Sequence, residues 1–211
     1  MAFDLEEQDK LDNLKGWWQE YGNRVTWALI VVLAAAAAWN GWQWWQGRQA
    51  AEAAVLYDEV DKAVQARDAA KAGRAAGDME AKFGGTPYAQ MAGLAAARVM
   101  AEAKDRKGAI AQLRWVNEHA VSPEFKHIAA LRLSALLIDD QQPEEALKAL
   151  SGEKAAPAAF ASLYAERRGD VLLAQNKMAE ARDAYRKALE KTEAGAQRQL
   201  LEFKLDMTGG A

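Results

Sequence analysis

Cysteine is absent from this chain of 211 residues. That excludes a disulfide framework, a thiolate nucleophile and a Cys-ligated zinc site, while leaving the compartment open. Proline is scarce, and no stretch alternates β-branched and polar residues as a half-buried strand does. Runs rich in Ala, Leu, Glu, Lys and Arg favour helix instead, so the chain reads as all-α. A basic excess is also missing. From Arg48 onward basic and acidic side chains number 24 each, which argues against nucleic acid as a partner.

The chemistry of catalysis is equally thin. The only histidines, His119 and His127, are separated by the Ser122-Pro123 break and lack metal-ligand spacing. They are expected at the surface or at a groove edge. No nucleophile elbow, phosphate loop or dinucleotide fingerprint occurs. Gly84-Gly85-Thr86-Pro87 follows no strand and reads as a turn. The acidic pairs Asp139-Asp140 and Glu144-Glu145 suit a solvated turn and the positive end of the next helix better than a paired-carboxylate site. The expectation is therefore a protein that is not an enzyme, with no cofactor, no metal and no catalytic residue. Trp115, outside the apolar region, is read as a packing residue.

What the chain does have is an uncharged interval between Arg24 and Arg48. Val25 to Trp45 is just long enough to cross a hydrocarbon core, which takes roughly 20 helical residues. Trp17, Trp18, Tyr21 and Trp27 gather at one end; Trp39, Trp42, Trp44 and Trp45 gather at the other. Indole and phenol rings favour the two membrane interfaces, so the lipid bilayer is an expected partner. Lys10, Lys15 and Arg24 precede the span and only Arg48 follows closely, a bias that puts the N-terminus in the cytoplasm. Residues 1–24 form a short tail with six acidic side chains, Asp4, Glu6, Glu7, Asp9, Asp12 and Glu20, expected to be solvated. The alanines Ala34 to Ala38 also offer signal-peptidase-like small residues. An uncleaved signal anchor is favoured, because the preceding tail is long and acidic and cleavage would strand the second tryptophan group.

Residues 46–211 show internal repetition. Within Ser162–Thr192, Gly169, Leu172, Ala181, Tyr185 and Ala188 follow the tetratricopeptide pattern of two antiparallel helices, with Asn176-Lys177 as the turn. Ala146 and Leu150 take the places of Ala181 and Tyr185 in a unit at 125–150, turning at Gln141-Gln142-Pro143. Ala109 and Leu113 do so in a unit at 91–118, with a turn expected at Asp105-Arg106-Lys107-Gly108. A first, degenerate unit covers about 50–83. Thr86-Pro87 and Ser122-Pro123 read as N-cap followed by proline at the first helical position. The sum is a short right-handed helical-hairpin solenoid behind a membrane anchor, with a groove suited to an extended peptide or a partner's helix.

The order of these pieces resembles the family of ancillary subunits of the bacterial SecYEG translocon. The resemblance rests on the acidic tail, Lys15-Gly-Trp-Trp-Gln-Glu-Tyr-Gly22, the single span, the exit Trp39-Asn-Gly-Trp-Gln-Trp-Trp-Gln46 and the repeats. It implies a single-pass inner-membrane protein with periplasmic repeats. It also implies association with SecYEG and with a membrane-anchored periplasmic chaperone of the prolyl-isomerase-like type, to which secretory chains are handed. It carries over no catalytic residue. A tetratricopeptide scaffold for envelope assembly or division, unrelated to secretion, is the alternative for the same layout.

Overall fold

The computed structural model describes residues 2–209, with side chains from Lys15 onward. The acidic side chains from Asp4 to Asp12 lie outside the described residues. Among the described residues there is no strand, and nine α-helices follow in order: α1 (Ala2–Gln65), α2 (Ala69–Phe83), α3 (Pro87–Glu102), α4 (Arg106–His119), α5 (Pro123–Asp139), α6 (Pro143–Ala149), α7 (Ala161–Ala174), α8 (Met178–Glu190) and α9 (Ala196–Met207). Two short 3-10 segments, Leu150–Ala155 and Ala158–Phe160, separate α6 from α7. The chain divides into two compact units, Met1–Arg48 and Gln49–Ala211.

The first unit is helix throughout its described residues. Its side chains from Val25 to Trp45 are exposed on every side, so it has no apolar stripe seeking a protein core. Two polar groups in this stretch turn back onto the helix itself. Thr26 Oγ1 donates to Gly22 O at 2.8 Å, and Asn40 Nδ2 donates to Ala36 O at 3.0 Å. This satisfies donors that an apolar surrounding could not.

The second unit is built from four hairpins, formed by the end of α1 with α2, α3 with α4, α5 with α6, and α7 with α8. The turn inside each has one backbone form. Arg67, Lys104, Gln141 and Asn176 are left-handed, with φ of 53°, 64°, 60° and 61°. After each of them the next N–H reaches back across the helix end: Asp68 N to Ala63 O at 3.0 Å, Asp105 N to Met100 O at 2.8 Å, Gln142 N to Leu137 O at 2.8 Å and Lys177 N to Leu172 O at 2.9 Å. This closure satisfies carbonyls orphaned at the helix C-terminus. The spacing of the four residues, 37, 37 and 35, is the repeat length written in hydrogen bonds.

Two sequence expectations shift here. The turn of the second hairpin lies at 103–105, earlier than the polar run Asp105–Gly108. Asp105 caps α4 by accepting from Gly108 N at 3.0 Å, so Arg106 to Gly108 are already helical. Thr86 does precede α3, but its hydroxyl donates backward to Phe83 O at 2.8 Å rather than capping the helix ahead.

The same register governs the apolar interior, which forms three adjoining clusters. The first joins Ala53, Val60 and Ala63 to Ala72, Ala76, Met79, Ala89, Ala92 and Ala96. The second runs from Leu94 through α4 and α5 to Val171, and Trp115 packs against both. The third holds Ala165, Leu172, Ala181, Ala184, Tyr185 and Ala188 with Leu201 of α9. Where helices of a hairpin meet, volumes alternate. The register positions pair Val60 with Ala76, Ala97 with Leu113, Ser134 with Leu150, and Gly169 with Tyr185. Each pair joins one small and one larger side chain, with the extreme at Gly169 and Tyr185, which keeps packing dense without strain.

Candidate functional site

The repeat positions singled out from the sequence lie in the interior. Ala109, Ala146, Ala181, Leu113, Leu150, Leu172, Tyr185 and Ala188 are buried, and Gly169 is packed under Tyr185. Sequence reasoning missed Ala72, which is fully buried 37 residues before Ala109. Its signal was the same spacing, in a unit where Ala63 and Ala76 stand in place of the larger residues of later units. It also missed α9, whose Leu201 enters the third cluster.

The aromatic residues around the apolar run are exposed. Trp17 stacks on Tyr21 with centroids 6.0 Å apart, and Trp42 lies 5.5 Å from Trp45. Arg24 sits over Tyr21 at 5.9 Å, and Arg48 over Trp44 at 5.0 Å. Trp18, Trp27 and Trp39 face outward as well. Each end of the apolar stretch thus carries rings beside a guanidinium, a combination that suits headgroup depth. Among the described residues α1 is one helix long and apolar enough to cross a bilayer.

The histidines part company. His119 is exposed and stacks on Trp115 at 5.0 Å. His127 is not at a surface or groove edge: it is 4% exposed, and its Nδ1 lies 2.9 Å from the Tyr164 hydroxyl. Burial pushes that hydroxyl's pKa up, and Glu153 adds to it. Phe160 packs on the other side of the imidazole at 5.4 Å. The pair ties the third hairpin to the fourth across 3-10 segments that the sequence did not announce.

Of the two acidic pairs, Asp140 and Glu145 are engaged locally. Glu145 accepts from Lys148 at 2.6 Å, and Gln142 donates to Asp140. At the far end, Glu166 is buried and accepts from Lys204 Nζ at 2.6 Å and from Gln197, both on α9. Lys204 also donates to Asp170 at 2.8 Å, where the Tyr185 hydroxyl and Arg167 converge. Burial, reinforced by Asp170, drives the Tyr185 pKa upward. This network fastens α9 over the last hairpin.

A groove of about 540 Å³ runs along the first helices of the second, third and fourth hairpins. Its floor is Ala97, Ala101, Leu113, Leu131, Ala135 and Leu136; its rim is Arg98, Glu102, Arg132 and Arg167. Volumes of this order accommodate a few residues of a ligand. None of the rim residues stood out in the sequence. Arg98, Arg132 and Arg167 do recur at 34 and 35 residues, close to one repeat, and that recurrence was the available signal.

Comparison with known proteins fits this geometry. The family model for a tetratricopeptide repeat-like domain matches residues 15–210. A protein of Neisseria gonorrhoeae named ancillary SecYEG translocon subunit is 33% identical, over 98% of this chain and 99% of that one. Proteins of the same name from Haemophilus influenzae and Aggregatibacter actinomycetemcomitans are 29% and 27% identical over the same shares. No solved structure matches.

Proposed function

This chain belongs to the family of ancillary SecYEG translocon subunits, and from that membership we propose that it is a single-pass inner-membrane protein that works beside the SecYEG channel. In this reading residues 1–24 are cytoplasmic, 25–45 cross the bilayer, and 46–211 stand in the periplasm. The observation that carries it is the extent of the likeness, which runs through the apolar helix and the repeats alike. Exposed apolar side chains from Val25 to Trp45, ringed by aromatics, support the anchor. The bias of Lys10, Lys15 and Arg24 supports the orientation.

The mechanism is tethering. An anchor confines the groove near the channel exit and raises its effective concentration for emerging chains. The groove holds a segment briefly and passes it to a membrane-anchored periplasmic chaperone of the prolyl-isomerase-like type. The work is done by contact, and no residue is given a catalytic part.

The test is to purify the full-length protein from membranes in mild detergent and identify what accompanies it. Recovery of translocon subunits with a periplasmic chaperone is expected. Recovery of division or envelope-assembly proteins without the translocon would overturn the reading. Protease added outside the inner membrane should digest residues 46–211 and spare 1–24.

A further inference from the structure

The groove is more than an apolar cleft. Two of its three rim guanidinium groups already have a carboxylate partner, Arg98 in Glu102 and Arg167 in Asp170, which leaves Arg132 as the rim cation without one among the described residues. Arg98 Nε is paired with Glu102 at 3.0 Å. Arg167 Nη1 is held by Asp170 at 2.8 Å, and its Nε is closed to solvent and so to a ligand as well. Arg132 is exposed and makes no hydrogen bond or ion pair among the described residues. An exposed, unpaired guanidinium donates readily to a carboxylate through its fork of N–H groups. Alanine and leucine side chains lie directly beneath.

We propose that this groove binds an extended polypeptide segment in which an Asp or Glu side chain stands beside small or aliphatic residues. The carboxylate meets Arg132, while the neighbouring side chains cover Ala97, Ala101, Leu131 and Ala135. An extended chain offers alternate side chains to opposite sides, so one acidic residue reaches the rim while its neighbours reach the floor. The same rim repels lysine- and arginine-rich segments, so the groove selects by exclusion as well as by attraction. This deepens the reading given above, on which it rests for the source of the segments.

The test uses the full-length protein in mild detergent and fluorescent peptides of Val, Thr and Ala that differ only in carrying Glu, Gln or Lys. Fluorescence anisotropy should show the Glu peptide binding about tenfold more tightly than the Gln peptide, weakening with added salt. Arg132→Glu should turn the preference toward the Lys peptide, a gain that misfolding cannot produce. Equal binding of Glu and Gln peptides, or an unchanged preference in Arg132→Glu, would overturn the proposal. So would displacement of the peptide by millimolar inorganic phosphate, which would mark a generic anion site. Absence of selectivity while translocon subunits still co-purify removes this inference alone. Selectivity without the translocon keeps the groove chemistry and removes the secretory source.

Discussion

Gly169 lies directly against the ring of Tyr185: a Cβ at residue 169 would stand 2.4 Å from Cε1 and 2.6 Å from Cδ1. The ring has little room to retreat, because its hydroxyl donates to Asp170 at 2.9 Å. In the other hairpins the register positions carry Ser134 with Leu150 and Ala97 with Leu113, where a smaller second residue admits a Cβ. Gly169→Ala gains up to about 1 kcal/mol of helix propensity and loses about 1–3 kcal/mol to overpacking. The expected net result is a destabilisation of about 1–2 kcal/mol. Gly169→Ala with Tyr185→Leu should lose less than the two single changes added together, as read by denaturant unfolding of all four proteins in a double-mutant cycle.

Glu80 gives the protein a pH dependence of definite sign. Burial raises its pKa to about 7, against the opposing influence of Gln112 and His119. The folded state therefore holds a proton that the unfolded state releases at a lower pH. The stability from that proton is complete below about pH 4.5 and is lost as pH rises through about 7, at no more than about 1.4 kcal/mol per unit. Allowing for partial solvent screening, Glu80→Gln should be more stable than the parent by about 2 kcal/mol at pH 8 and equal to it at pH 4. Unfolding measured at both values decides it, and equal differences at the two would contradict the assignment.

Tyr164→Phe isolates the contact between the third and fourth hairpins. It keeps the ring but removes the group beside His127 Nδ1, in a place where water does not reach. A buried polar atom left without a partner costs about 1–3 kcal/mol, so a loss in that range is expected. Hydrogen exchange should show the effect centred on α5 and α7 rather than spread over the first two hairpins.

The four left-handed turn residues differ in how well they suit their backbone. Asn tolerates the conformation, whereas Lys104 and Gln141 hold it against a steric penalty of about 1–2 kcal/mol. Glycine removes that penalty and gives back about half of it in unfolded-state entropy. Lys104→Gly and Gln141→Gly should therefore each stabilise by about 0.5 kcal/mol or more, while Asn176→Gly should be close to neutral. Melting temperatures of the three single variants test the ranking.

The all-helical, tetratricopeptide-like fold was legible because its rules are local and periodic. Small residues at Ala109, Ala146 and Ala181, with breaks near Gln141 and Asn176, mark out hairpins without knowledge of any contact. The first hairpin was faint because Ala63 and Ala76 stand where later units place larger side chains, Leu172 and Tyr185 in the last. The turn at Lys104 was misread because Arg106-Lys107-Gly108 is polar enough to look like loop, although Asp105 caps it into helix. Burial of His127 depends on Tyr164, 37 residues away, and no periodicity reports such a pairing. The groove rim escaped notice for a similar reason. Its arginines sit on three different helices, and each alone looks like a solvated charge.

Glu166 imposes an order in time. Both of its partners, Gln197 and Lys204, belong to α9, and they are made only after the fourth hairpin is complete. A growing chain that has reached residue 195 has a hairpin that cannot shed the water around this carboxylate, since the ammonium that replaces it does not yet exist. The three earlier hairpins have no such debt to later sequence at this position. Synthesis of residues 196–207 is therefore the event that separates a provisional end from a finished one.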